Sequence, residues 1–189
     1  MSNTILSQQF SEALVYTAEL HREQRRKISG VPYLTHLLSV AALVLEDGGD
    51  EDEAIAGLLH DAIEDQGGIP TREVIRQKFG DRVVEIIAGC TEWDCPPKPP
   101  WKERKLKYLA QLRTASESVR RVSLADKLHN LRSLLMDRQK IGERVWESFG
   151  AGRSEMLWFY HELVKLYGSD GLGAAFAQAV AELEQPVDF

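Results

Sequence analysis

Apolar residues recur at spacings of three and four along almost the whole chain, the period of a helix face turned toward a core. Leu6, Phe10, Ala13, Leu14 and Thr17 form the first such stripe. It predicts a helix that runs on into the basic stretch Arg22, Arg25, Arg26 and Lys27 and closes at Ser29 and Gly30. Cations suit a helix C-terminus, and glycine suits the reversal beyond it. Pro32 then opens a second helix, carrying Leu34, Leu37, Leu38, Ala41 and Leu45 and stopping at Gly48-Gly49.

Asp50, with Glu53 three residues on, has the capping-box spacing and starts a third helix. Ala54, Ile55, Leu58 and Leu59 make it apolar nearly all round, hence central, as far as Gly67-Gly68. A short helix follows from Pro70-Thr71 to Phe79, closed by Gly80. Asp81 caps the next, with Val83, Val84, Ile86 and Ile87 inside. Helical patterns resume at 102–112, 118–137, 154–167 and 172–183. Between them lies Cys95-Pro-Pro-Lys-Pro-Pro-Trp101, whose prolines exclude a helix and predict a long loop or lid. No useful β-alternation and no hairpin signal appear. The pattern predicts an all-α, single-domain bundle spanning 1–189, with 141–189 forming C-terminal helices.

Composition narrows the class. The chain has 189 residues, 43% hydrophobic and 28% charged, which is globular and not disordered. Its 23 basic and 29 acidic residues leave a net charge of −6, which argues against long nucleic acids. A small basic pocket for a phosphorylated metabolite remains open. No segment approaches the ~18 apolar residues of a membrane span, and the N-terminus lacks a signal-peptide pattern. Cys90 and Cys95 fit neither a disulfide framework nor a zinc knuckle, so two free thiols in a reducing cytoplasm are expected. Oligomeric state is open.

Metal-type ligands fall at His36, at His60-Asp61, at Glu64-Asp65 one turn on, and at Asp126. Glu64 is four from His60 and Asp65 four from Asp61, so one helix face would present an imidazole and three carboxylates. Carboxylates that close repel unless a cation sits among them or one keeps its proton. A mixed imidazole and oxygen set suits Mn, Fe or Zn, with the oxygens favouring Mn or Mg. Taken singly, His36 reads as a core histidine, Asp126 as a solvated aspartate and Glu64-Asp65 as an acidic helix end. A His60-Asp61 pair buried behind Ala56-Gly57-Leu58-Leu59 is costly unless compensated.

The ordered set of blocks resembles the HD-domain metal-dependent phosphohydrolases, and within them the hydrolase domain of the RelA/SpoT family. Those blocks are Gln24-Arg-Arg-Lys27, Gly30-Val-Pro-Tyr-Leu-Thr-His36, Leu58-Leu-His-Asp-Ala-Ile-Glu-Asp65, Phe79-Gly80, Thr91 and Leu124-Ala-Asp-Lys-Leu-His-Asn-Leu-Arg132. The likeness is strongest over 10–140. It implies removal of the 3′-pyrophosphate of (p)ppGpp, a small phosphorylated nucleotide. It implies Mn²⁺ held by His36, His60, Asp61 and Asp126, with Glu64 and Asp65 orienting or deprotonating water. Arg26, Lys27, Tyr33 and Asn130 would contact substrate, and Arg104 and Lys105, after the proline loop, could add a second clamp. Tyr33 is equally readable as core packing, His129 as structural, and His21 and His161 as uninvolved. The sequence departs from the family at Leu37, at 28–31, at Gln66-Gly67-Gly68 and in the proline loop, which touches substrate identity more than metal binding. The chain ends about where a synthetase domain would begin, so hydrolase activity alone is expected. Two other readings stay open: a phosphohydrolase for another nucleotide or metabolite, and a non-catalytic metal-containing alarmone-binding module.

Overall fold

The computed structural model describes residues 4–93 and 97–186. It is all-α, as the periodicity predicts: α1 Gln8–Leu20, α2 Leu34–Glu46, α3 Glu51–Leu59, α4 Ala62–Asp65, α5 Ile69–Phe79, α6 Asp81–Cys90, α7 Trp101–Thr114, α8 Glu117–Ile141, α9 Gly152–Tyr167 and α10 Gly171–Glu184. A 3₁₀ segment, Gly142–Ser148, links α8 to α9. The only β-pairing among the described residues is an isolated bridge between Arg25 and Pro32.

α3 is buried along its whole inner length from Glu53 to Leu59, as its apolar residues require. It shares the centre with α8, which packs on α2, α3, α6 and α10. One continuous apolar core runs from Ala13 through Ile55, Leu59 and Leu128 to Phe176 and Leu183. Asp50 and Glu53 form both halves of the capping box at the start of α3. Gly57 lets α3 approach α2 closely: a Cβ there would lie 3.2 Å from the Ala41 Cα.

Four boundaries differ from the sequence reading, each for a local reason. α1 ends at Leu20, so the basic run lies outside the helix. Its backbone closes a tight loop instead: Arg26 N–H donates to the Val31 carbonyl and Tyr33 N–H to the Gln24 carbonyl, with Gly30 at φ 70°. Pro32 sits in that loop's bridge, and α2 begins two residues later. The third helix does not reach Gly67; it breaks at His60-Asp61 and restarts as α4. Consecutive helical residues diverge by about 100°, and the break lets both side chains turn to one point. Gly80, at φ 90°, precedes α6, and Asp81 is that helix's first residue, not its cap. Cys90 is buried and free; Cys95 lies outside the described residues.

Candidate active site

The break after α3, the start of α2 and the middle of α8 converge. His36 Nε2 lies 3.3 Å from Asp126 Oδ1 and 3.7 Å from Asp61 Oδ2. His60 Nε2 lies 3.1 Å from Asp61 Oδ2 and 3.6 Å from Asp126 Oδ1. Both Nε2 atoms are buried, yet neither has a hydrogen-bond partner. His36, His60 and Asp126 can each aim one donor atom into a common space, with those atoms within 4.8 Å of one another. An orphaned, buried imidazole nitrogen is expensive, and two of them facing carboxylates form a donor set that suits a divalent cation.

The second tier fixes which nitrogen faces inward. His60 Nδ1 lies 2.8 Å from the Gly57 carbonyl, so it carries the proton and leaves Nε2 as a lone pair. His36 Nδ1 lies 2.7 Å from His129 Nδ1. Burial, then the neighbouring His36 and Arg26, push the His129 pKa down to about 4, so His129 is neutral and can accept from His36. Asp126 takes hydrogen bonds from Lys127 Nζ at 2.8 Å and from Asn130 Nδ2. Burial opposes its charge, but Lys127 and the two histidines hold it well below the carboxylate range. Burial also opposes charge on His60, and Asp61 and Asp126 overturn it, pushing that pKa well up in the absence of a cation.

An HD domain family model matches residues 13–156. The chain belongs to the HD domain family. The guanosine-3′,5′-bis(diphosphate) 3′-pyrophosphohydrolase MESH1 of Xenopus tropicalis is 40% identical over 126 residues, 65% of this chain and 68% of that protein. GTP pyrophosphokinase rsh of Brucella melitensis is 36% identical over 167 residues, 82% of this chain and 22% of that protein. This chain therefore spans about a fifth of that larger relative. A solved structure of a metazoan ortholog of SpoT, described as hydrolysing ppGpp, superposes with a TM-score of 0.75 at 25% identity, covering 96% of this chain and 98% of that one.

The remaining HD-domain residues named from the sequence separate into those the fold brings together and those it does not. Tyr33 donates to Asp61 Oδ2 at 2.5 Å, so it is more than packing. Arg26 donates to Asn130 Oδ1 at 2.9 Å and lies over the Tyr33 ring at 5.6 Å. Asp65 keeps its helical step to Asp61, the residue that starts α4, through its backbone N–H. Its carboxylate accepts from Gln24, and burial and the Asp61 charge raise its pKa. Glu64 accepts from Lys98 of the proline loop at 2.7 Å. Lys27 Nζ is held by the Ser148 carbonyl at 2.5 Å.

A cavity of about 470 Å³ lies beside the cluster, and Arg26, Lys27, Tyr33, Lys105, Lys127 and Asn130 contribute to its wall. Arg104 does not line it. Arg104 and Lys105 instead meet at Glu92, which also faces Lys127 at 3.7 Å. Lys102, on the same helix, pairs with Glu155. His129 is the structural residue that the sequence reading expects, whereas no role for Glu92, Lys127 or Gln24 is legible there. Each of these three looks like an ordinary surface residue in sequence, and only the folded proximity to Asp126 or Asp65 marks it. His21 is buried beside Tyr33 and bonded to Gln24, whereas His161 pairs with Glu184 on the surface.

Proposed function

We propose that this chain removes the 3′-pyrophosphate of guanosine 3′,5′-bis(diphosphate), with Mn²⁺ held by His36, His60, Asp61 and Asp126. The observation that carries this is the pair of buried, unbonded imidazole nitrogens facing two carboxylates at the edge of a cation-lined cavity. The names of the pyrophosphohydrolase relatives support the substrate. The mixed nitrogen and oxygen donors support Mn²⁺ among divalent ions. When bound, such an ion supplies Lewis acidity toward water and phosphate oxygens.

The chain's own groups do the rest. Arg26, Lys27, Lys105 and Lys127 offer cations to the substrate phosphates, and Arg26 is held in place by Asn130. Arg104 supports this end indirectly, through Glu92. Tyr33 fixes Asp61 by its hydroxyl. Asp65, with a raised pKa and a tether to Gln24, accepts the proton of the attacking water, and Glu64 orients that water once freed from Lys98. One domain over 1–189 carries all of this, a reading supported by the single core from Ala13 to Leu183. No helix among the described residues is long and apolar enough to cross a membrane. We place the protein in a reducing cytoplasm, on the buried free Cys90 thiol.

The test is a panel of nucleoside mono-, di-, tri- and bis(diphosphates) incubated with the metal-stripped protein, with and without Mn²⁺. Guanosine 3′,5′-bis(diphosphate) should turn over fastest, and only with metal. Turnover of other nucleotides alone would retain the HD centre and overturn the substrate.

A further inference from the structure

The cavity beside the metal centre is polarised along α8. Asp126, Asn130, Ser133 and Asp137 are spaced four, three and four apart, so they form one stripe on the helix. The last three line the cavity. Asp126 and Asp137 stand eleven residues apart, about 16 Å along the axis. Two cations mark the Asp126 end, where Arg26 meets Asn130 and Lys127 meets Asp126. Asp137 marks the other end.

Asp137 is only 8% exposed, and its carboxylate has no hydrogen-bond or ion-pair partner among the described residues. The cations nearest in sequence and cavity are committed elsewhere. Arg138 is spent on Glu143 and on the Leu183 and Gln185 carbonyls, and Lys27, though it lines the cavity, makes no bond to Asp137. The Asp137 oxygens are not sealed in the core but open onto the cavity, where an ionised carboxylate can only accept. The cavity therefore ends in a built acceptor that no protein group satisfies.

We propose that Asp137 reads the base of the bound nucleotide, accepting from N1–H and the exocyclic 2-amine of guanine. This rests on the nucleotide reading of the site given above. The phosphates belong at the cationic end, which directs the base toward Asp137. Guanine offers two adjacent donors on that edge. Adenine offers an N1 acceptor there, which a carboxylate repels. Phe149, Met156, Phe159 and Tyr160 supply the apolar wall against which a base ring packs. Asp137 is thus a specificity-determining residue and takes no part in the chemistry.

The experiment compares wild type, Asp137→Ala and Asp137→Asn with guanosine and adenosine 3′,5′-bis(diphosphate) under saturating Mn²⁺. A bidentate base contact is worth about 10- to 100-fold in discrimination. Asp137→Ala should lose that factor for guanosine through KM, keep kcat, and leave adenosine unchanged or better. Asp137→Asn should move preference toward adenosine, because its amide can donate to N1 and accept from the 6-amine. Melting should show Asp137→Ala close to wild type in stability, since no hydrogen bond or ion pair within the protein is lost. An unchanged guanosine-to-adenosine ratio, or an early-melting variant with reduced kcat, overturns the inference. Calorimetry with guanosine and adenosine 5′-diphosphate separates it from the hydrolase reading. If no nucleotide is hydrolysed but a guanosine preference vanishes in Asp137→Ala, the hydrolase reading fails and the base reading stands. If guanosine 3′,5′-bis(diphosphate) turns over and neither preference moves, the reverse holds.

Discussion

At the scale of single residues, the site works because each inward-facing atom is set by a partner behind it. His129 is the clearest case. It holds His36 through a 2.7 Å contact between Nδ1 atoms and touches none of the carboxylates in the cluster. Loss of such an outer partner typically costs about 10- to 100-fold in metal affinity. His129→Ala should weaken Mn²⁺ binding by that range in a calorimetric titration, with the helical spectrum unchanged; unchanged affinity would make His129 mere packing. Lys105 gives a pH signature. Burial, opposed by Glu92 and reinforced by Lys127, pushes its pKa down to about 8 from an ordinary 10.5. Between those values the folded chain holds fewer protons than the unfolded one, so this group adds stability as pH rises through the window. Anion binding runs the other way, because Lys105 discharges in the cavity. KM for a polyanionic nucleotide should therefore climb above about pH 8, and Lys105→Arg should flatten the climb. A KM independent of pH between 7 and 9.5 in wild type would remove Lys105 from the binding surface.

At the scale of elements, periodicity made most helices legible. The stripes of α2, α5, α6, α8, α9 and α10 fall where the apolar spacing puts them, because those faces answer to a single core. The misses sit where tertiary contacts outweigh local preference. The basic run looked helical by composition, yet its backbone donors are spent across the Arg25–Pro32 bridge. The break at His60-Asp61 carries no glycine or proline to announce it. It arises from two neighbouring side chains being turned to one point, a demand invisible without the partner helices. Ligand-type residues were legible from block order and spacing, whereas Glu92 and Lys127 were not, since a lysine beside an aspartate in a polar helix is commonplace. The α2–α3 contact is the element-level hinge of the site. Gly57 both accepts from His60 and lets the Ala41 backbone approach, with room for no more than a strained Cβ at 3.2 Å. Gly57→Val should cost about 1–3 kcal/mol, read as a lower melting temperature, and should weaken metal binding in the folded fraction. A variant of wild-type stability would mean that the two helices pack less tightly than the structure shows.

At the scale of the whole molecule, a net charge of −6 argues against long nucleic acids and leaves a small phosphorylated partner open. The fold sharpens that statement. Part of the acidic excess, Asp61 and Asp126, gathers where a cation belongs, and Arg26, Lys105 and Lys127 gather beside it. The acidic excess works against long nucleic acids, while one cavity gathers cations suited to a small anion. Metal binding then couples to global stability. A ligand present at a hundred times its Kd and bound only to the native state adds about 2.7 kcal/mol. Metal-stripped protein should melt lower than protein with Mn²⁺, and Asp61→Asn should erase most of the difference; an equal rise in that variant would place the ion elsewhere. The most direct test of the metal-dependent hydrolase is a stoichiometric one. Metal-stripped protein is titrated with Mn²⁺ while guanosine 5′-diphosphate and pyrophosphate are quantified from guanosine 3′,5′-bis(diphosphate). Turnover should rise to a plateau at about one ion per chain, with the two products in equal amounts and none formed in His60→Ala. Full turnover without metal, or none from folded protein saturated with it, would contradict the assignment.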